Sequence, residues 1–445
     1  PHHNDPGAPH PPHPGATQPD SHSADSRSLY PHQSLDEQVS QLGRVRAALY
    51  EAGWMRYGWP ESVGGYGGPA LLRAVLGEEV TARGLAEPGI YSMIEVLTPT
   101  MISYAPPALA AEMVPLLLSG QEQWCQGFSE PGSGSDLASL STRAVPRGDD
   151  WVITGQKVWT SLAQHAQRCV LLTRTAPGLS SPGGTPPRTP RDLSDGPAAR
   201  GTPPDPRAAV SDKQSSPGGT TPRTPPGLSD EKANVSDKHS GITAFFVDMD
   251  SPGITVRPLR TMHGVDEFAE VFFDDVVVPG SRMLGQPGDG WRLASDLLPY
   301  ERSTCFWHRT AYLYSRLDRL VASAVAGTAV AGTAVAGTAS SADEAAIGSA
   351  YLALHVARCR SRETQYRLAA AGTLGPETSV DKILLQSAEQ QLYDTARDLL
   401  PGTVELEESS WRSEYLYSRA ATIYGGTAEI QRNIIARRLL DLGKE

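Results

Sequence analysis

The sequence predicts an α+β chain of several domains, helical at both ends with β structure between. Three observations carry that prediction. Apolar residues recur at three- and four-residue steps in the first quarter of the chain. Short apolar runs alternate with Gly, Pro and Asp turns from Trp124, and the 3.6-residue period returns from Gly290. With 445 residues the chain is long enough for two or three core-bearing domains.

Residues 1–33 are rich in Pro, His, Ser and Asp and have almost nothing to bury, which predicts a disordered tail. Its histidines lack a fixed ligand set, so no metal site is expected there. An N-terminal helical domain is expected over 34–120. Leu35, Val39, Leu42, Val45 and Leu49 share one helix face. A second helical series follows the turn-rich Trp59–Gly68 and runs from Pro69 to about Arg83. Further helical signal covers 90–119, interrupted by Pro106-Pro107.

A β-domain is expected over 121–285, with strands at Trp151–Ile153, Cys169–Thr173, Thr243–Val247 and Glu270–Phe273. Within it, 176–240 forms a low-complexity insertion. Ser-Ser-Pro-Gly-Gly-Thr occurs at 180–185 and again at 215–220. Such duplications predict a disordered surface excursion, and the strand resuming at its exit places it in one hairpin loop. A helical bundle is expected over 286–445. Leu293, Leu297, Leu298, Tyr312, Leu313, Leu317 and Leu320 mark a long first helix, and further helices cover roughly 343–371, 379–400 and 426–441. Between them, 321–342 is an Ala/Gly/Thr insertion built on Ala-Val-Ala-Gly-Thr, read as an expanded loop or helix end.

A net charge of −11 argues against nucleic acid as a partner. Cys125, Cys169, Cys305 and Cys359 show no CxxC spacing, which points to a reducing cytoplasm. Val321–Ser341 is the one candidate membrane span, and its Ala, Gly and Thr are too weakly apolar to insert. The start has neither an apolar signal core nor a Met, so a trimmed chain or internal fragment is expected.

Two segments carry chemistry. Trp124–Asp136 is a strand entering a turn dense in Gly, Ser and Pro, a loop whose N–H groups and hydroxyls can approach a ligand closely. About twenty residues on, Trp151–Ser161 is a strand, turn and strand ending in Trp159 beside Thr160 and Ser161. An indole can cover a flat ring while hydroxyls bond its polar edge.

With these segments the chain resembles the acyl-CoA dehydrogenase family. Gln126–Asp136 resembles that family's flavin- and thioester-contacting turn and Gly155–Ser161 its partner strand. Ile423-Tyr424-Gly425-Gly426-Thr427-Ala428-Glu429-Ile430-Gln431-Arg432 resembles its C-terminal signature. Gly58-Trp59-Pro60-Glu61, Ser251-Pro252-Gly253-Ile254 and Phe272–Pro279 also match, in the family's order, across about 40–445. The resemblance implies an N-terminal helical domain, a middle β-barrel and a C-terminal four-helix bundle. It further implies FAD as cofactor, an acyl-CoA substrate, electron-transfer flavoprotein as electron acceptor, and a homo- or hetero-oligomer.

It implies site residues as well. Gln126, Phe128, Ser129 and Gly134 would contact the flavin and Ser135 both cofactor and acyl-CoA. Trp159 and Ser161 would flank the isoalloxazine, and Thr427 and Glu429 would reach the cofactor. Arg302, Tyr424 and Gly426 would lie against the substrate. Removing an α-proton from a thioester needs a desolvated base beside the flavin. Much of the family has a Glu directly after the Tyr of the signature, where this chain has Gly425. A second subset carries its base on the first long bundle helix, and Glu301, followed by Arg302, matches it. Gly425 would still supply a backbone N–H to the thioester carbonyl, and its missing side chain would leave room for a bulky or α-branched acyl group. On the same helix, His308 reads as a satisfied core histidine and Cys305 as an inert structural residue. The Arg-x-x-Phe-Gly motif that holds the ADP end of a neighbouring subunit's FAD in many relatives is replaced by the Ala-Val-Ala-Gly-Thr tract. A non-catalytic partner subunit of a hetero-oligomer, or an oxidase or monooxygenase on the same fold, therefore remains open beside flavin-dependent α,β-dehydrogenation.

Overall fold

The structure is a computed structural model, and it describes residues 34–176, 238–330, 341–371, 374–406 and 409–443. The expected tail, most of the 176–240 insertion and the later part of the Ala/Gly/Thr tract lie outside the described residues. Among the described residues four α-helices come first: α1 (Leu35–Glu51), α2 (Leu71–Ala82), α3 (Pro88–Tyr104) and α4 (Pro107–Leu118). Helix α1 starts at Ser34, whose hydroxyl accepts from the Glu37 N–H while Glu37 reaches back to the Ser34 N–H, a reciprocal cap. Its apolar face is the expected one: Leu42 is buried, and Leu35, Val39, Val45 and Leu49 pack against the same core.

Eight strands follow among the described residues: β1 (Trp124–Gly127), β2 (Arg143–Arg147), β3 (Asp150–Ser161), β4 (Arg168–Arg174), β5 (Ile242–Asp248), β6 (Ile254–Leu259), β7 (Phe268–Pro279) and β8 (Met283–Leu284). They form one mixed sheet in the order β6-β7-β3-β2-β4-β5-β8, with β1 parallel to β4. Arg174 pairs with Ile242, so the 176–240 insertion does leave from the β4–β5 hairpin. The central strands are apolar on both faces because both faces are covered. On β4, Cys169 and Leu171 join a core within the sheet, while Val170 and Leu172 join the core shared with α1, α3 and α4. The sheet also rolls. Trp151 on β3 and Phe245 on β5 have ring centroids 5.5 Å apart although two strands separate them in the order.

The C-terminal part holds α5 (Gly290–Val330), α6 (Ser341–Ala371), α7 (Thr378–Leu399), α8 (Ser410–Ser418) and α9 (Ala428–Ile434). Helix α5 runs through the first Ala-Val-Ala-Gly-Thr unit and into the second, so that part of the tract is a helix end. No helix among the described residues is long and apolar enough to cross a membrane. Cys125 and Cys169 face each other across β1 and β4, and both are free thiols.

Helix α5 belongs to two cores at once. Leu293, Ala294 and Leu297 pack with the N-terminal helices and the sheet, while Phe306, Trp307, Leu313 and Leu317 pack with α6, α7 and α8. Glu301 stands between these two sets, where the cores part.

Candidate active site

Helix α5 and strand β1 together place the expected base. The Gln126 Nε2 donates to Glu301 Oε2 at 3.2 Å. Burial pushes the Glu301 carboxyl above its ordinary value, while the Gln126 bond and the cations Arg302 and Lys382 work against that shift. The other end of the same amide, Gln126 Oε1, is buried with no partner among the described residues.

The turn before α9 meets this carboxylate. Gly425 and Gly426 have φ of +62° and +92°, backbone that side-chain-bearing residues rarely adopt. A Cβ on Gly425 would stand 4.0 Å from Glu301 Oε1. The structure thus brings Gln126, Glu301 and Gly425 into one group from three separate segments. The Gly425 carbonyl accepts from Gln431 Nε2 at 2.8 Å and the Gly426 carbonyl from the same nitrogen at 3.2 Å. The Gly425 N–H donates to no group among the described residues. The expected room beside Gly425 needs correction. The Lys382 stem lies 3.3 Å from the same Cβ position, so a buried lysine fills part of that space.

Sequence reasoning missed what holds this turn. The Tyr424 hydroxyl donates to Glu389 Oε2 at 3.0 Å, and Arg309 donates to Glu389 Oε1 and Glu414 Oε2, both at 2.7 Å. Tyr312 and Tyr393 donate to Glu414 as well. Apart from Tyr424, these residues come from three helices and read singly as ordinary helix residues.

The expected flavin loop rests on a second unforeseen pair. Glu130 accepts from Lys157 at 2.8 Å, from the Ser141 N–H at 2.7 Å and from the Thr142 N–H at 2.9 Å. Lys157 also donates to the Phe128 carbonyl. The Phe128 ring is buried in the core, and the Ser129 carbonyl accepts from Val158 N–H. Gly134 and Ser135 are exposed at the loop tip, with nothing within 4 Å of a Cβ on Gly134.

At the end of β3 the β3–β7 register shifts between Lys157 and Thr160. There Trp159 adopts φ +59° and stays 61% exposed, its indole edge-on to Phe268. A strained backbone that keeps a large indole in the open points to a ligand it covers. Ser161 is half-buried beside Thr160, whose hydroxyl oxygen is buried without a partner. Thr427 caps α9 by accepting from the Ile430 N–H, and Glu429 is exposed and paired with Arg432. Among the described residues, Ser135, Trp159 and Glu429 make no hydrogen bond or ion pair to the Glu301 group. Arg302 is buried next to Glu301, its Nε without a partner.

His308 is buried in the core, but its Nε2 has no partner among the described residues, and Cys305 is half-buried. Ser92 Oγ lies 2.9 Å from His308 Nδ1, and burial pushes the imidazole down to about 3, which keeps it neutral. Burial pushes the Cys305 thiol up to about 12. A cavity of about 630 Å³ lies farther along α5, lined by Glu87, His263, Glu267, Arg309, Glu414 and Tyr417 among others. Arg309 is two helical turns beyond Glu301, roughly 12 Å along the axis.

The chain is similar to known proteins in sequence and fold. The family description "Acyl-CoA dehydrogenase, C-terminal domain" matches residues 288–440, and "Acyl-CoA dehydrogenase, middle domain" matches 125–185. The acyl-CoA dehydrogenase IpdE1 of Mycobacterium tuberculosis is 31% identical over 425 residues, 93% of this chain and 90% of that protein. The chain belongs to the acyl-CoA dehydrogenase family. Among solved structures, the ChsE4-ChsE5 complex from Mycobacterium tuberculosis has a TM-score of 0.68 at 23% identity, covering 91% of this chain and 90% of that one. The "Tcur3481-Tcur3483 steroid ACAD" has a TM-score of 0.67 at 23% identity, with the same 91% and 90% coverage. Both share the fold. As a member of this family the chain is an FAD-dependent oxidoreductase acting on acyl-CoA. Its own residues fit that cofactor: an exposed, strained Trp159, the orphaned Thr160 hydroxyl and Gln126 carbonyl oxygens, and an open glycine loop.

Proposed function

We propose that this acyl-CoA dehydrogenase removes the α-proton of its thioester with Glu301 and binds the thioester carbonyl at the Gly425 N–H. The observation that carries this reading is the meeting of the two: a Cβ on Gly425 would be 4.0 Å from the Glu301 carboxylate. FAD, when bound, supplies the acceptor for the β-hydride. Glu301 must be ionised to take the proton. Burial opposes that, whereas the Gln126 amide donates to the charged form and two cations face it. The unspent Gly425 N–H suits a developing enolate oxygen, and one such donor is worth roughly 3 kcal/mol of barrier. Trp159, Ser161, the Phe128–Ser135 loop, Thr427 and Glu429 are proposed to hold the cofactor, and Arg302, Tyr424 and Gly426 to border the substrate. Electrons would leave to electron-transfer flavoprotein.

The acyl group is proposed to run along α5 toward the cavity at Arg309. A lining of Glu, Arg, His and Tyr suits an oxygen-bearing acyl group better than a plain alkyl chain, whose burial would leave those groups unsolvated. The steroid in one structural neighbour's description fits that preference. Anaerobic bleaching of the flavin by butyryl-, isobutyryl-, octanoyl- and cholyl-CoA tests the reading. Bleaching by at least one, fastest with an oxygenated acyl group, supports it, and no bleaching by any contradicts it.

A second reading is a subunit of a hetero-oligomer, favoured by the two-protein descriptions of the ChsE4-ChsE5 and Tcur3481-Tcur3483 neighbours. Flavin per protomer of the chain purified alone distinguishes them: near one for a self-sufficient site, near zero for half of a shared one.

A further inference from the structure

Helix α7 sends a lysine into the active-site turn. Lys382 is 2% exposed, and its ammonium donates to the Ala421 carbonyl, two residues before Ile423. The same nitrogen lies 4.3 Å from the centroid of the Tyr424 ring. Seven residues on, on the same face of α7, Glu389 takes the Tyr424 hydroxyl. The turn that ends in Gly425 is therefore gripped at both ends by one helix.

Lys382 differs from Lys157 and Arg309, two other buried cations, and shares with Arg302 the lack of an ion pair among the described residues. Lys157 sits 2.8 Å from Glu130, and Arg309 sits 2.7 Å from both Glu389 and Glu414. Among the described residues no carboxylate comes within 4.0 Å of the Lys382 ammonium. A buried charge without an ion-pair partner is costly, and here burial lowers the lysine to about 8. The groups facing it are Glu301, Arg302 and Cys305 from α5, Glu389 from α7, and Tyr424 from the turn. The Lys382 stem and the Glu301 carboxylate both lie within 4.0 Å of one point, the Cβ position on Gly425.

We propose that Lys382 is a positioning residue: its ammonium fixes the Ala421–Gly425 turn over Glu301 and favours the ionised form of that carboxylate. The proposal rests on Glu301 being the base. It explains why a cation is retained in a poorly solvated place, and why the space left at Gly425 is filled from α7.

The test uses the FAD-loaded enzyme and infrared titration of carboxylic C=O absorbance, with E301Q identifying the Glu301 band. K382M and K382Q remove the cation, and K382R keeps it. An opposite charge within about 4–6 Å moves a carboxyl by about one pH unit or more. The proposal expects the Glu301 band to titrate about one unit higher in K382M and K382Q and with the parent in K382R. Flavin bleaching by the four thioesters named above should fall at least about tenfold in the two uncharged variants. Parent-like titration in K382M and K382Q overturns the proposal. An equal shift in all three variants overturns it in favour of packing alone. Failure of the underlying reading shows separately, as E301Q that bleaches at the parent rate.

Discussion

Replacing Lys157 with Met tests the frame beneath the proposed flavin loop. The lysine is fully buried, 2.8 Å from Glu130 Oε1, and donates to the Phe128 carbonyl at 3.1 Å. Methionine fills a similar volume, so the change removes charge and donor while sparing most of the packing. A buried carboxylate stripped of its cation costs about 3–5 kcal/mol. The pH dependence gives an independent figure. Burial opposes ionisation of Glu130, yet Lys157 and the donors from Ser141 and Thr142 hold its carboxyl at about 2 against an ordinary 4.5. That depression corresponds to about 3 kcal/mol. Burial also pulls Lys157 below its ordinary value, which takes back part of the gain and favours the lower end of the range. Because the folded value is depressed, the contribution is complete above pH 4.5 and disappears as pH falls toward 2. Calorimetry at pH 7 should therefore place K157M several degrees below the parent, with the gap narrowing as the pH approaches 3. Flavin occupancy after gel filtration should drop as the loop loosens, and E130L should restore part of the stability of K157M. A K157M protein that melts within a degree of the parent at pH 7 with full flavin refutes the reasoning.

Three further outcomes are expected. Gly77→Ala places a Cβ 2.1 Å from His308 Nε2 and 2.9 Å from Tyr91 in a closed core, so urea unfolding should show a loss of about 1–3 kcal/mol. Tyr424→Phe removes the donor to buried Glu389, costing about 1–3 kcal/mol in the same assay. It should also slow flavin bleaching by displacing the Gly425 N–H. Trp159→Ala should remove the exposed indole while keeping the same backbone strain, and so weaken FAD binding, measured by flavin fluorescence titration, while leaving the melting temperature of the FAD-free protein nearly unchanged.

What the sequence made legible depended on how local the cause was. Helix α1 announced itself through Ser34, Glu37 and a repeating apolar face, all within one segment. The β4–β5 hairpin was readable because its strands carry apolar runs, Cys169–Leu172 and Ala244–Val247, and its insertion is compositionally unlike them. Strands β2, β6 and β8 and helix α8 were not singled out. Val145 is exposed on β2, Pro146 and Pro258 interrupt β2 and β6, β8 has only two residues, and α8 is only nine residues long.

Glu301 could be placed by its motif, since the chain around it keeps the family's order. Lys382, Arg309 and Glu130 could not, because a single charged residue on a helix or loop reads as a solvated face. Only folding shows that α7, α5 and the Ala421–Gly425 turn converge, and that the gap left by a missing carboxylate is filled by a lysine from another helix. The rolled sheet was likewise invisible to pattern. Alternation showed that strands exist, whereas the Trp151–Phe245 contact records how far they curl.

The most direct measurement concerns the side chain at position 301. FAD-loaded Glu301→Gln, mixed anaerobically with a thioester that bleaches the parent, should keep its flavin spectrum, with reduction slowed at least about a hundredfold. A glutamine variant that reduces its flavin as fast as the parent contradicts the assignment of the proton acceptor, and with it the geometry proposed for the whole site.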